Sequence, residues 1–557
     1  MTKRATTVGA LLAAATLLLA GCNANPTTPA GSSTAPVTKG GDLTILTAQT
    51  ELSFDPAKSQ SLAITSLGLV ERRLTTWDIT PGQEAKYVPD LATDTGKSSN
   101  GGKTWTYTLK DGLTFDDGTP ITSEDIKYGI ERSFAPELSG GLGYHKSLLA
   151  GAEKYTGPYG GKELASIKTP DDKTIVFELN TPYGDWPWIA SMPAFSPVPK
   201  AKDTKPATYG EKPAASGPYA VESYQQGVAL KLVRNPKWSA ATDTVRTAGP
   251  DTITFKMSQD ETVAAQALIA DSGEAQTSFG AQFVPPAQLA QAQGNPTAKS
   301  RLVTSDPGAL AYLAFNTARG ALKDVKVRQA LEYAADRQAF LLASGGEISG
   351  AAATTLITPG IPGRAEYDLY PAPASGDVDK AKSLLAAAGH ADDLNLTQIT
   401  KNDSVSLAQA QALQQGFEKA GVKVTLDPQD ETTVTDRVTG SSGDYDLYIG
   451  SWQPDFPSPN GNIQPLFDSS QIGGGAYNIS RYSNPAVDAA IAKATGTVDP
   501  ADAGTQWAAI DKQVMTDAPV VPLTYTKNSF LHGSKVQNFQ IGAFPAYPNY
   551  LKVTLAP

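Results

Sequence analysis

The chain has 557 residues, more than a single hydrophobic core usually supports, so we expect more than one domain. It carries 46 basic and 56 acidic residues, a net charge of −10, and this acidic balance excludes general binding to nucleic acid or to anionic membrane surfaces. A single cysteine excludes an internal disulfide and a thiolate zinc site, and the three separated histidines, His145, His390 and His532, argue against a metal centre, so no metal and no cofactor are expected.

The first 22 residues have the pattern of a lipoprotein leader. Lys3 and Arg4 precede an apolar run over residues 8–20, which at about 13 residues is too short to span a bilayer. The run ends in LAGC at 19–22, which resembles the lipobox of bacterial lipoproteins. We therefore predict a signal peptide over residues 1–21 and a membrane anchor through lipid on Cys22. An ordinary leader with a chance cysteine is the alternative.

The segment after Cys22 is predicted to be a flexible tether. Residues 23–41 are rich in Pro, Thr, Ser, Gly and Ala and contain almost no large apolar side chain. Such a sequence cannot bury enough surface to fold on its own. We assign residues 22–41 to this tether, and no later stretch is apolar enough to cross a membrane.

The first half of the folded part alternates strands with tight turns. The motif TSED at 122–125 is typical of a capping box, which predicts a helix that begins there and runs to about Ser133. Alternating residues predict a strand at 42–47, and further strands are predicted at 104–110 and 113–115. Asp172 and Lys173 separate two more strand-like stretches, the second of them at 174–179.

The second half has a different pattern. Asp324 is predicted to cap a helix with an apolar face, and a second helix is predicted over residues 377–388. After it, strands and helices alternate: strand 394–399, helix 407–420, strand 422–426, helix 431–438 and strand 445–449. This alternation predicts a parallel sheet of the α/β class.

Four blocks of residues, in order, resemble the family 5 extracellular solute-binding proteins, which serve ABC importers for peptides, nickel and some oligosaccharides. The blocks are WTY…FDDGTP…DIKY over 105–128, GPY…LVRNP over 217–236, FNT…VKVRQAL…DR over 315–337 and YDL…W…D over 445–455. The resemblance covers nearly all of residues 42–557. Lys326 and Trp238 depart from the usual pattern, at positions that we interpret as structural.

The resemblance implies a fold and a domain plan. The expected fold is α/β and two-lobed, like periplasmic binding proteins of type II and cluster C, with an extra domain inserted in the N-terminal lobe. Such lobes close around a ligand by a hinge motion. The implied ranges are 42–75, 205–312 and 520–557 for domain I, 76–204 for the inserted domain II, and 313–519 for domain III.

Three residues are candidate ligand contacts. Asp455 follows the third strand of the α/β run, and open α/β sheets bind ligands beyond the carboxyl ends of their strands. In peptide-binding members of the family, an Asp at the matching position holds the ligand's α-ammonium; a solvated loop residue is the alternative. Trp452 is interpreted as a wall of the cleft or, alternatively, as core. Asn316 either binds near the cleft or caps a turn.

The implied function is the capture of oligopeptides between the lobes, outside the cytoplasm, and their delivery to an ABC permease by a monomeric binding protein. An oligosaccharide or metal-chelate ligand is the alternative within the family, and scarce histidines disfavour nickel. The sequence has no G-x-S-x-G motif, so we expect no enzymatic activity. An extracellular hydrolase with a carboxylate pair is the remote alternative.

Overall fold

The structure of the protein, a computed structural model, describes residues 39–58, 64–138, 140–391 and 393–557. The predicted signal peptide, Cys22 and most of the predicted tether lie outside the described residues. Within the described ranges, none of the helices combines the length and the apolar composition that a membrane span requires.

The strands of the described residues are short, with seven residues at most. In chain order they are β1 (Asp42–Leu46), β2 (Thr75–Asp78), β3 (Lys86–Pro89), β4 (Lys97–Ser99), β5 (Thr104–Thr108), β6 (Ile167–Asp171), β7 (Thr174–Glu178), β8 (Tyr219–Gln225), β9 (Ala229–Arg234), β10 (Thr252–Lys256), β11 (Ser278–Gly280), β12 (Leu302–Thr304), β13 (Ala309–Phe315), β14 (Gly350–Ala352), β15 (Asn395–Lys401), β16 (Lys423–Gln429), β17 (Leu447–Trp452), β18 (Val520–Thr526), β19 (Ser529–Leu531), β20 (Val536–Gln537) and β21 (Thr554–Leu555).

The longer helices lie in the second half of the chain. In chain order the α-helices are α1 (Ile64–Leu67), α2 (Ser123–Arg132), α3 (Tyr144–Leu148), α4 (Trp186–Ile189), α5 (Glu261–Ala270), α6 (Pro286–Gly294), α7 (Pro296–Lys299), α8 (Val325–Ala334), α9 (Arg337–Ala343), α10 (Val378–Ala387), α11 (Ser404–Lys419), α12 (Glu431–Thr439), α13 (Pro459–Phe467), α14 (Pro485–Thr495) and α15 (Pro500–Asp517).

Aspartate side chains fix the start of most helices in the α/β run. Asp324 and Asp377 each accept a hydrogen bond from a backbone N–H in the first turn of α8 and α10. Asp403 accepts bonds from the N–H groups of Val405 and Ser406, so α11 begins at residue 404, three residues before the predicted start. The predicted capping box is confirmed, because the carboxylate of Asp125 accepts from the backbone N–H of Thr122.

A six-stranded sheet forms the largest layer, in the order β14-β18-β13-β17-β15-β16. Strand β15 is parallel to β16 and to β17, which confirms the parallel arrangement predicted for that run. Strand β13 is antiparallel to β17 and β18, so the sheet as a whole is mixed. Every residue of β13 is buried, which places this strand in the centre of the core.

Two further sheets have their own cores. The five-stranded sheet has the order β11-β1-β10-β9-β8, and β1 lies parallel to both of its neighbours. The antiparallel four-stranded sheet has the order β4-β5-β7-β6. The prediction of a strand at residues 113–115 is wrong. Those residues enter a tight turn, where a single bridge joins Thr114 and Pro120.

The predicted domain boundaries stay predictions, and the sheets can be compared with the predicted ranges. The five-, four- and six-stranded sheets fall in the ranges predicted for domains I, II and III, with two exceptions. Strand β13 crosses the predicted boundary at residue 312, and β18 lies beyond the boundary at residue 519. Hydrogen bonds place both strands in the six-stranded sheet.

Two groups of buried ion pairs join the range predicted for domain I to the range predicted for domain II. Their members, all buried, are Asp55, Arg72, Asp90, Arg132, Asp203, Asp243 and Arg246. Asp90 is the centre of the first group: one carboxylate oxygen accepts from Arg72 at 2.8 Å and the other from Arg246 at 2.9 Å. In the second group, the guanidinium of Arg132 binds both Asp55 and Asp203. We call these seven residues the buried ion network.

Candidate binding site

The candidate site begins where β17 ends. The ladder between β15 and β17 joins Gln398 to Leu447 and Ile399 to Tyr448. At this parallel register the last residue of β15, Lys401, lies level with residue 450, so residues 451 and 452 extend past β15. On the other side, β13 pairs with β17 along its whole length. The chain then continues through Gln453 and Pro454 to Asp455. This segment therefore leaves the carboxyl end of a strand at the edge where open α/β sheets hold ligands.

Asp455 is exposed, and its carboxylate has a partner from another part of the chain. The phenol of Tyr144, the first residue of α3, donates a hydrogen bond of 2.6 Å to Oδ2 of Asp455. Burial and then the nearby Asp455 carboxylate raise the pKa of Tyr144, so the phenol keeps its proton and acts as the donor. Among the described residues, no lysine, arginine or histidine forms an ion pair with Asp455.

Aromatic rings surround this carboxylate. Tyr144 packs edge to face against Phe456, with ring centroids 5.3 Å apart, and Trp452 lies against Tyr477 at 5.1 Å. The indole N–H of Trp452 donates to the carbonyl of Gly461 at 2.7 Å. Trp452 is half-buried, and Tyr477 is 52% exposed. A carboxylate next to exposed aromatic faces is chemically suited to an organic cation.

A cavity of about 470 Å³ lies beside this group and is the part of the site that could take the body of a ligand. One wall is Gln453, and the opposite walls come from the five-stranded sheet and the C-terminal segment. They are Thr47, Gln49, Leu52, Ser66, Phe255, Ala281, Gln282, Phe283, Asn528, Phe530, Ala546, Tyr547 and Tyr550. None of these described residues is charged. The lining therefore offers amide and hydroxyl groups together with aromatic faces.

A smaller cavity of about 280 Å³ lies on the other side of Tyr144 and Phe456. It is lined mainly by α13 and by the region that carries α3. Tyr144 and Phe456 border this smaller cavity, and both residues also lie next to Asp455. Parts of a ligand held at Asp455 could therefore enter either cavity.

Asn316 is placed differently from Asp455 and Trp452. Its side chain is buried, and its amide donates to the carbonyls of Gly443 and Tyr445, both at 2.9 Å. Its oxygen accepts from the N–H of Ala318. All three groups are bound within the protein, so the turn-capping alternative describes Asn316 in this structure, and the structure does not bring it to the cavity.

The sequence analysis missed Tyr144, Gln453, Tyr477 and Tyr547. Gln453 could have been predicted from the sequence, because it lies between Trp452 and Asp455. Tyr144 was not, because it is 311 residues away from Asp455 and no local pattern marks it. Within the described residues, no cluster of His, Cys, Asp and Glu side chains is arranged to hold a metal ion.

Comparison with known proteins places this geometry in a family. The sequence profile of the bacterial extracellular solute-binding proteins, family 5 Middle, matches residues 86–474. The chain therefore belongs to the family 5 bacterial extracellular solute-binding proteins, and it has their two-lobed α/β fold. This result confirms the predicted family and the predicted fold class.

Individual relatives show the same relationship along most of the chain. A solved structure of clavulanic acid biosynthesis oligopeptide binding protein 2 is 32% identical, has a TM-score of 0.83, and covers 93% of this chain and 96% of its own. The murein peptide-binding protein MppA of Escherichia coli K12 is 27% identical over 86% of both chains. The glutathione-binding protein GsiB of Salmonella paratyphi A is 26% identical over 80% of this chain and 81% of its own.

Proposed function

We propose that this protein is the extracytoplasmic substrate-binding component of an ABC importer and that it captures oligopeptides by their free N-terminus. The observation that carries the proposal is the Asp455 carboxylate, which lies at the end of β17 with a phenol donor but no cationic partner among the described residues. An α-ammonium would supply the missing charge. The names of the relatives, which include oligopeptide-, murein peptide- and glutathione-binding proteins, support a peptide ligand.

The surroundings of Asp455 suit a peptide in other respects. Residues 451 and 452 of β17 extend past β15, so their backbone groups are placed to pair with an extended ligand. The neighbouring cavity has uncharged polar and aromatic walls, which accept side chains of different size through water-mediated contacts. The peptide would then be read by its chain end and backbone, with few demands on its side chains.

The test combines a mutation of the protein with a modification of the ligand. Asp455→Ala leaves a buried ammonium unpaired, which costs about 3–5 kcal/mol and lowers the affinity for a free peptide by about 10²–10³-fold or more. An N-acetylated peptide has no ammonium, so it binds the wild type poorly and loses much less on mutation. Calorimetry on the four combinations isolates the pair.

The control is Asp172→Ala, which removes an exposed carboxylate at the turn between β6 and β7, far along the chain from the site. It should leave the affinity for the free peptide unchanged. Equal losses for free and acetylated peptides on Asp455→Ala would show that Asp455 is structural. Binding of cello-oligosaccharides in place of any peptide would establish the sugar alternative.

We also propose that the mature protein is a monomer anchored to the membrane through lipid on Cys22. The support is the sequence alone: the leader over residues 1–21, the position of the sole cysteine, and the polar tether that follows. Cys22→Ala should abolish incorporation of labelled lipid and release the protein from the membrane fraction. Full membrane retention of this variant would contradict the anchor.

A further inference from the structure

A third cavity, of about 310 Å³, lies away from Asp455 and shares no lining residue with the two cavities of the candidate site. One side is formed by residues 84–87 and by Gly184, Asp185 and Trp188, in the range predicted for domain II. The other side is formed by residues 457–459 and by the region of α15, in the range predicted for domain III. Its volume is within the range typical of small-molecule sites.

Three aromatic side chains line this third cavity: Tyr87, Trp188 and Trp507. Tyr87 and Trp188 pack edge to face with ring centroids 4.9 Å apart, and both tryptophans are buried. Four prolines, Pro362, Pro457, Pro459 and Pro500, contribute further apolar surface. Such walls favour a ligand with an apolar or aromatic body.

Asp185 is the polar group that sets this cavity apart from a packing void. Its Oδ2 accepts a hydrogen bond of 2.7 Å from the hydroxyl of Ser458 on the opposite side. Among the described residues, no lysine, arginine or histidine lies within ion-pair distance of its carboxylate. Burial raises the pKa of Asp185 to about 6, although hydrogen bonds from Ser458 and Asn460 lower it. Within the described chain the carboxylate therefore has a hydroxyl partner but no counter-ion.

The other charged groups near this cavity do not neutralise Asp185. Glu84 and Lys86 line the rim and are both exposed, while Asp499 lies close enough to act on the phenol of Tyr87. Carboxylates therefore outnumber cations around the space. An uncharged side chain could make the bond to Ser458 without the cost of burying a charge. The negative charge of Asp185 is therefore explained by a cationic ligand that comes from outside the chain.

We propose that this cavity is a second binding site, for a small organic cation with an aromatic or apolar body. The ammonium of the ligand pairs with Asp185, and its body lies against the faces of Tyr87, Trp188 and Trp507. Because the walls come from two parts of the chain, an occupant contacts both and stabilises the arrangement in which they meet. The proposal is independent of the peptide site, since the two share no residue.

The probe is 2-phenylethylammonium, with 2-phenylethanol as its uncharged counterpart, and calorimetry on the purified protein measures both. Asp185→Asn keeps a group that can bond to Ser458 and removes the charge. We expect it to weaken binding of the amine by about tenfold or more and binding of the alcohol by less than about threefold. Asp172→Asn is the matched control for the loss of one carboxylate, and it should weaken neither.

Location is tested separately, by ¹⁹F NMR of protein that contains 5-fluorotryptophan. The amine should shift the signals of Trp188 and Trp507 and leave that of Trp452 in place, and Asp455→Ala should not change its affinity. The proposal is overturned if the amine does not bind, if it binds no better than the alcohol, if Asp185→Asn has no effect, or if only Trp452 responds.

Discussion

The hydroxyl of Tyr144 donates a hydrogen bond of 2.6 Å to the carboxylate of Asp455, although the two residues are 311 positions apart. Tyr144 begins α3, next to the four-stranded sheet, and Asp455 follows β17 of the six-stranded sheet. The bond therefore spans the ranges predicted for domains II and III. Because a carboxylate has two oxygens, it can keep the phenol on one and accept a ligand's ammonium on the other.

The first prediction concerns Tyr144→Phe, which keeps the ring contact with Phe456 and removes the donor. A hydrogen bond to a charged group contributes about 1.5–3 kcal/mol, and its loss leaves the Asp455 carboxylate less well oriented. We expect calorimetry to show a loss of about tenfold or more in affinity for a free peptide. Tyr155→Phe is the control, because that phenol donates to the carbonyl of Lys162. Unchanged affinity in Tyr144→Phe would show that the bond has no role in binding.

The second prediction concerns the centre of the buried ion network. Burial alone would raise the pKa of Asp90, but the guanidinium groups of Arg246 and Arg72 hold it well below its usual range. Asp90→Asn leaves these two buried cations short of a carboxylate, which should lower the free energy of unfolding by about 3–5 kcal/mol. Urea titration measures this change.

The control for Asp90 is Asp94→Asn. Asp94 pairs with exposed Lys97 at 3.6 Å, and such surface pairs contribute about 1 kcal/mol or less. The contribution of Asp90 to stability also depends on pH. It is fully present above the pKa that the carboxyl group has in the unfolded chain, and it is lost as the pH falls through the lower pKa of Asp90 in the folded protein. Equal effects of the two substitutions would mean that the network does not stabilise the fold.

The third prediction is a pH dependence that comes from His145. Its ring is buried between Phe134 and Phe195, its Nε2 lies 2.7 Å from the hydroxyl of Ser133, and burial lowers its pKa to about 3, with a smaller effect from Lys146. An unfolded histidine takes up a proton below a pH of about 6.5. The unfolded state therefore binds more protons between the two values, and stability falls as the pH is lowered, by up to about 1.4 kcal/mol per pH unit.

Urea titrations between pH 6.5 and 4.5 test this dependence. His145→Gln should remove the contribution of the ring and flatten the slope of stability against pH, whatever its effect at pH 7. His390→Gln, at a surface position beside Asp393, should keep the wild-type slope. A slope that is the same in wild type and His145→Gln would contradict the neutral, buried histidine.

The fourth prediction concerns closure. A peptide that binds only the folded protein should raise the free energy of unfolding by about 2.7 kcal/mol at a hundredfold excess over Kd. If the two lobes close around it, X-ray scattering should give a smaller radius of gyration at saturation. Stabilisation with an unchanged scattering profile would indicate a binding protein that does not close.

Local patterns predicted the elements whose signals are local. Asp324 and the motif at 122–125 cap helices as expected, because a side-chain cap needs only residues two or three positions away. Asp377, predicted as the first residue of a helix, caps α10 instead. The parallel run β15, β16 and β17 followed from its alternation with helices. The position of Asp455 followed from the same run, together with the family resemblance.

Contacts between distant segments were beyond such patterns. The partnership of Tyr144 with Asp455, and of Asp185 with Ser458, depends on how two separate sheets meet. The antiparallel pairing of β13 with β17 in the six-stranded sheet also depends on contacts between distant segments of the chain. Asn316 shows a different limit: its residue type allowed both a ligand contact and a turn cap, and its sequence position could not show that its amide bonds to Gly443 and Tyr445.

The buried ion network has a consequence for the design of a fluorescent sensor. Because it joins the ranges predicted for domains I and II, dyes at exposed Glu222 and Asp172 should keep a constant energy-transfer efficiency when peptide is added. Dyes at Glu222 and at exposed Lys423, on β16, would instead report the approach of the six-stranded sheet. Since Cys22 is the only cysteine of the chain, the Cys22→Ala background would let engineered thiols be labelled without competition.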